Sequence, residues 1–123
     1  MIQAIIEKKE KISLDKLNSM NLYEILMDER DFKIMICGET FFHEPLFPIL
    51  ELVKYIIDWS KKKENNFVYN TMESEDNPLI MFQKNESEWI VHSPWQRFEC
   101  KRKFTLSEVN FFVQDIVNQV IIF

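Results

Sequence analysis

Carboxylates are the chemistry-bearing groups that this chain concentrates most densely. Between Glu64 and Glu88 lie six acids (Glu64, Glu73, Glu75, Asp76, Glu86 and Glu88) and one cation, Lys84, and Trp89, His92 and Trp95 follow at once. Two readings fit that spacing. Acidic turns can simply keep a small domain in solution. Alternatively, carboxylates beside exposed indoles form a recognition surface that steers a basic partner electrostatically while an aromatic anchor is buried on it. On the second reading Glu73, Glu75, Asp76, Glu86, Glu88, Trp89, His92 and Trp95 bind the partner, with Trp89 and Trp95 as anchors. If the partner is a nuclease, the carboxylates occupy its phosphate-binding groove.

Catalytic patterns are weaker. His43-Glu44 sets an imidazole beside a carboxylate, the pairing that general acid–base work needs, but neighbours on an extended segment point to opposite sides. His92, between Trp89 and Trp95, either lines a ligand pocket or covers the open face of a sheet. His43, His92, Cys37, Cys100 and the Glu73-Glu75-Asp76 group show no metal-ligand spacing such as H-x-x-x-H. Alternation places Cys100 with Phe98 and Phe104, where inert core thiols sit, and both cysteines are expected to be buried and free. Gly38 is the only glycine among 123 residues, which excludes a P-loop, a dinucleotide fingerprint and a nucleophile elbow. No catalytic residue, metal or cofactor is expected.

The elements that must position these residues read as an α+β domain spanning residues 1–123. Residues Ile2 to Ile12 suit a strand better than a frayed helix, and Ser13 to Asn21 reads as a connection. Leu22 to Met27 and Phe32 to Phe42 read as a hairpin around Asp28-Glu-Arg-Asp31, with Gly38 marking a bulge. Pro45 and Pro48 open a long helix. Its apolar positions are Leu46, Ile49, Leu50, Val53, Ile56 and Ile57, and its polar stripe is Glu51, Lys54, Asp58, Lys61 and Lys62. The terminal Lys61-Lys-Lys63 run complements the negative pole of that helix. Strands are expected at Phe67–Met72, Leu79–Gln83, Trp89–His92 and Trp95–Phe104. Thr105-Leu-Ser-Glu108 is a capping box that opens a second helix with Val109, Phe112, Val113, Ile116, Val117 and Val120 on one face. The order is roughly β-β-β-α-β-β-β-β-α, or a strand fewer: an antiparallel meander with two helices on one face.

Composition agrees with that architecture. With 46% hydrophobic and 14% aromatic residues the chain can bury a core without disulfide or metal staples. The net charge of −5 disfavours nucleic acid and anionic membranes as partners. The N-terminal residues lack the layout of a secretory signal, and no apolar stretch reaches the length of a membrane span. A cytoplasmic location follows as the expectation.

Phe32-Lys-Ile-Met-Ile, Phe41-Phe-His-Glu-Pro, a helix ending Asp58-Trp59, Phe67-Val-Tyr-Asn-Thr-Met-Glu, Asn77-Pro and Ser93-Pro-Trp-Gln-Arg-Phe-Glu carry a resemblance over Leu22 to Val120. The chain resembles small uncharacterised proteins of Gram-positive bacteria that are similar to immunity proteins of polymorphic toxin systems. The shared residues are aromatic scaffolding and turns, so the resemblance implies no site residue. It implies a non-enzymatic protein that neutralises a cognate toxin by one-to-one occlusion, as monomer or homodimer. The alternatives are a small-ligand pocket or weak enzyme around His92, Trp89 and Trp95, and a homo-oligomer joined through Tyr55 and Trp59.

Overall fold

A computed structural model describes residues 1–62 and 65–123. The chain runs β1 (Ile2–Ile6), β2 (Ile12–Ser13), α1 (Leu14–Ser19), α2 (Leu22–Met27), β3 (Glu29–Ile36), β4 (Glu39–Pro48), α3 (Ile49–Ser60), β5 (Phe67–Tyr69), β6 (Ile80–Asn85), β7 (Glu88–His92), α4 (Leu106–Val120) and β8 (Ile121–Ile122). This is an α+β fold with an antiparallel meander, β5-β6-β7. A second antiparallel sheet has the order β1-β3-β4, and β2 pairs in parallel with β8. The helices α3 and α4 pack on each other, α3 against β3 and β5, α4 against β1 and β7. They lie across both sheets, and one continuous core joins all of it.

Several local expectations are corrected. Ser13–Asn21 is not a plain connection, because Ser13 caps α1 by accepting from the Lys16 amide at 3.1 Å. Leu22–Met27 is helix α2 and not the first arm of a hairpin. Asn21 and Glu24 form a reciprocal capping box at its start, which satisfies the first free amides of the helix. The hairpin turn lies at Cys37-Gly38, between β3 and β4. Their φ angles of 50° and 81° give the two positive central positions of a type I′ turn, which matches the twist of the paired strands. Gly38 therefore serves a turn and not a bulge, and a Cβ there would meet open space.

Pro45 is also displaced from its expected role. It lies in β4, and Pro48 is the N-cap of α3. Partners advance from Phe32–Glu44 to Arg30–Phe47, so β4 carries an extra residue in the Pro45-Leu46 stretch. Proline lacks the N–H of a ladder, and a bulge is where a strand tolerates it. The bulge leaves Leu46 66% exposed, beside exposed Pro45 and immediately before buried Phe47. A second register shift, between Ile34 and Met35, lets the adjacent Phe41 and Phe42 both be buried.

Trp95–Phe104 is not a strand; only Phe104 bridges back, to Trp89. The segment crosses instead from β7 to β4. The Arg97 amide donates to the Phe41 carbonyl at 2.8 Å. Phe98 meets the Phe41 ring edge-on at 5.5 Å, and Trp95 stacks on Phe42 at 6.2 Å and 10°. Rings from the crossing segment thus cover β4 where a further strand was expected. The capping box at Thr105 and Glu108 and the buried face of α4 are as read from the sequence.

Candidate functional site

The acidic loop between β5 and β6 is built around hydrogen bonds that hold its backbone. Asn77 accepts from the Thr71 amide at 2.9 Å and donates to the carbonyls of Thr71 and Ser74 at 3.0 and 2.9 Å. The hydroxyls of Thr71 and Ser74 accept from the amides of Glu73 and Asp76. The Trp95 indole N–H donates to Asp76 at 2.8 Å, tying the loop to the crossing segment. Glu73, Glu75 and Asp76 are exposed on a backbone whose conformational freedom is already spent, and that lowers the ordering cost of binding.

Two recesses flank this loop. The smaller, about 210 Å³, is lined by Glu44, Leu46, Glu73 and Trp95 among others. The β4 bulge aims Glu44 and Leu46 there. The larger, about 480 Å³, is lined by Leu22, Ile25, Glu51, Lys54, Tyr55, Asp58 and Met72. Consecutive loop residues, Met72 and Glu73, line one recess each, so the loop forms a ridge between them. Carboxylates beside partly exposed apolar and aromatic side chains are what a basic partner with a buried anchor requires.

Glu51 holds this arrangement from below. The sequence places it on the polar stripe of α3, yet it is 5% exposed. Its Oε1 accepts from the Tyr69 hydroxyl at 2.6 Å and its Oε2 from the Met72 amide at 3.1 Å. No spacing signal marks it, because its partners lie 18 and 21 residues away. Burial, and then the Glu51 carboxylate that accepts its hydrogen bond, push the Tyr69 phenol well above the ordinary tyrosine range. Folded Tyr69 therefore keeps its proton at pH values where the unfolded residue, at about 10, has lost it. The contribution is complete below pH 10 and falls above it by about 1.4 kcal/mol per pH unit. We expect urea midpoints to fall less steeply for Tyr69→Phe than for the parent between roughly pH 10 and 11. Equal slopes would disprove the assignment.

The other sequence-predicted residues do not all join this face. Trp89 is 1% exposed and edge-on to Trp59 at 5.8 Å, so it is a core residue and not an anchor. Strand alternation puts His92 on the opposite, exposed face of β7, so Trp89 and His92 do not line one pocket together. Trp95 is the exposed indole, at 37%. Glu86 and Glu88 sit at the far end of β6, beyond the other end of the strand from Glu73–Asp76. A strand of that length separates the two acidic groups by roughly 17–20 Å. Glu88 is 3.9 Å from Lys103. Lys63 and Glu64 lie outside the described residues.

His43 turns away from Glu44. Its Nε2 lies 3.0 Å from Asp31 Oδ1, and Arg97 Nη2 reaches its Nδ1 at 3.4 Å. Both ring nitrogens are engaged, in a link between β3, β4 and the crossing segment. Glu44 instead accepts from the Leu46 amide at 3.2 Å. The cysteines also divide: Cys100 is buried as expected, whereas Cys37 is exposed in its turn. The Met1 ammonium and then Arg102 hold the Cys37 thiol below the ordinary range. Trp59 is covered by Phe67 and Trp89 within the chain, leaving Tyr55 as the partly exposed member of the expected oligomer flank.

Among the described residues no three His, Cys, Asp or Glu side chains converge as metal ligands, and no helix is long and apolar enough to cross a membrane. Residues 2–121 match the model of a family described as a domain of unknown function, DUF7878. No curated protein and no solved structure matches the chain.

Proposed function

From the premise that the chain belongs to the DUF7878 family, we propose that it is a non-enzymatic protein-binding domain. The proposed partner is a basic protein domain, held one-to-one by the face around the acidic loop. In this reading the chain acts as an immunity protein, occluding a cognate bacterial toxin. The observation that carries the reading is the hydrogen-bonded loop that presents Glu73, Glu75 and Asp76 between two recesses, beside the exposed Trp95. Preorganised carboxylates speed encounter with a basic surface, and an indole at the centre supplies the desolvated anchor. The relocation of Glu86 and Glu88 confines the proposed face to Glu44, Glu73, Glu75, Asp76, Leu46 and Trp95.

The direct test is growth of a heterologous host expressing the open reading frame adjacent to this gene, with and without this chain. Rescue is expected from the parent protein. Glu73→Lys/Glu75→Lys should lose rescue while keeping its thermal transition, because both side chains are exposed. In binding assays the same variant should weaken association by roughly a hundredfold or more, since like charges now face the partner. Rescue undiminished by the double reversal would remove the loop from the interface. A harmless neighbour would remove that pairing.

A further inference from the structure

Arg30 is a buried cation with an unused donor. It extends from β3 on the same side as Phe32 and Ile34 and is 1% exposed. Asp28 accepts from its Nε at 2.8 Å and its Nη2 at 3.1 Å, while Nη1 is buried without a hydrogen-bond partner among the described residues. An unmet donor on a buried guanidinium carries a desolvation penalty that an added acceptor would offset.

The surroundings indicate the acceptor. Arg30 lines a recess of about 470 Å³ together with Lys9, Lys11, Lys16, Glu10 and Asp28. Four cationic side chains thus meet two carboxylates in a protein of net charge −5, and Asp28 is already committed to Arg30. Lys9 is held by donating to the Glu29 carbonyl at 2.9 Å. Lys11 and Lys16 are exposed and make no ion pair among the described residues.

We propose that this recess binds a phosphate group, either as the inorganic ion or as a monoester on another molecule. A phosphate carries close to two negative charges near neutral pH and three acceptor oxygens. It can therefore take a bond from Arg30 Nη1 and still face the lysine ammonium groups. A carboxylate offers one charge and two oxygens, fewer than the recess can engage. Because Nη1 is itself buried, contact with it requires the wall of the recess to shift. The site is separate from the acidic face and stands or falls independently of it.

The test is a proton–nitrogen NMR titration of the full chain with sodium phosphate, and separately with O-phosphoserine, each matched in ionic strength by sodium chloride. Saturable shifts are expected at the amides of Ile12, Ser13 and Arg30 and at the Arg30 Nε–H. Lys11→Gln/Lys16→Gln should retain the parent spectrum elsewhere and weaken binding about tenfold or more, as loss of two charge-assisted contacts implies. Saturation by inorganic phosphate identifies the free ion as sufficient, and saturation by phosphoserine alone identifies the monoester. The proposal is overturned by shifts that never saturate with either probe, by equal affinity in the double variant, or by acetate binding as tightly.

Discussion

Trp89→Ala is expected to remove about 3–5 kcal/mol of folding stability, the range for emptying the volume of a large buried aromatic side chain. Trp89, in β7, packs against α3 and pairs with the end of the crossing segment. Its ring meets Trp59 edge-on, and its backbone exchanges two 2.8 Å hydrogen bonds with Phe104. Since whole domains are stable by only about 5–15 kcal/mol, this substitution should bring the protein near the unfolding threshold. Trp95→Ala provides the contrast. It removes a partly exposed ring and its bond to Asp76, for a loss of about 1 kcal/mol. If Trp95 is the anchor, its loss should weaken partner association by roughly thirtyfold or more. Urea denaturation of both variants checks the first claim. A Trp89→Ala protein within about 1 kcal/mol of the parent would contradict the packing described above.

Glu51→Ala is expected to cost about 2–5 kcal/mol, because the Tyr69 hydroxyl and the Met72 amide both lose their acceptor. Apolar burial cannot compensate, since an alanine methyl reaches neither donor. Glu51→Gln should fall between the parent and Glu51→Ala: its carbonyl oxygen can serve one donor, but its amide nitrogen cannot accept from the other. In the double variant Tyr69→Phe/Glu51→Ala one of the stranded donors is gone, so the combined loss should be smaller than the sum of the single losses. Hydrogen exchange separates this account from a general weakening of the core. The Met72 amide should exchange faster in Glu51→Ala than in a variant of equal stability altered elsewhere. Equal protection at Met72 would show that Glu51 does not hold the loop.

Periodicity made some elements legible and concealed others. The α4 face and its capping box could be read because both are local: a turn-to-turn repeat and a reciprocal bond across three residues. The same logic was available at Asn21-x-x-Glu24, where a capping box announces α2. There Leu22, Tyr23, Ile25 and Leu26 are equally compatible with a strand. The proline pair before α3 is ambiguous for a related reason. Proline suits the first turn of a helix and also the bulge of an edge strand, and only the pairing of β4 with β3 distinguishes them.

The candidate site was legible in its charge but not in its shape. Exposed Glu73, Glu75 and Asp76 follow from their residue types, whereas the separation of Glu86 and Glu88 depends on which end of β6 each turn occupies. Trp89 and Trp95 are indistinguishable as indoles in the sequence. Strand alternation turns one into the core, and stacking on Phe42 leaves the other at the surface. By itself the sequence determined an α+β chain with an amphipathic C-terminal helix, an acidic middle and no glycine-dependent active-site loop, all of them properties of composition or of neighbours within a few residues. Only the tertiary structure decided that Glu51 is buried, that Arg30 lines a cationic recess, and that one tryptophan meets solvent. Those outcomes rest on contacts between distant segments, and burial and hydrogen-bond partnership are set by what the fold brings into reach.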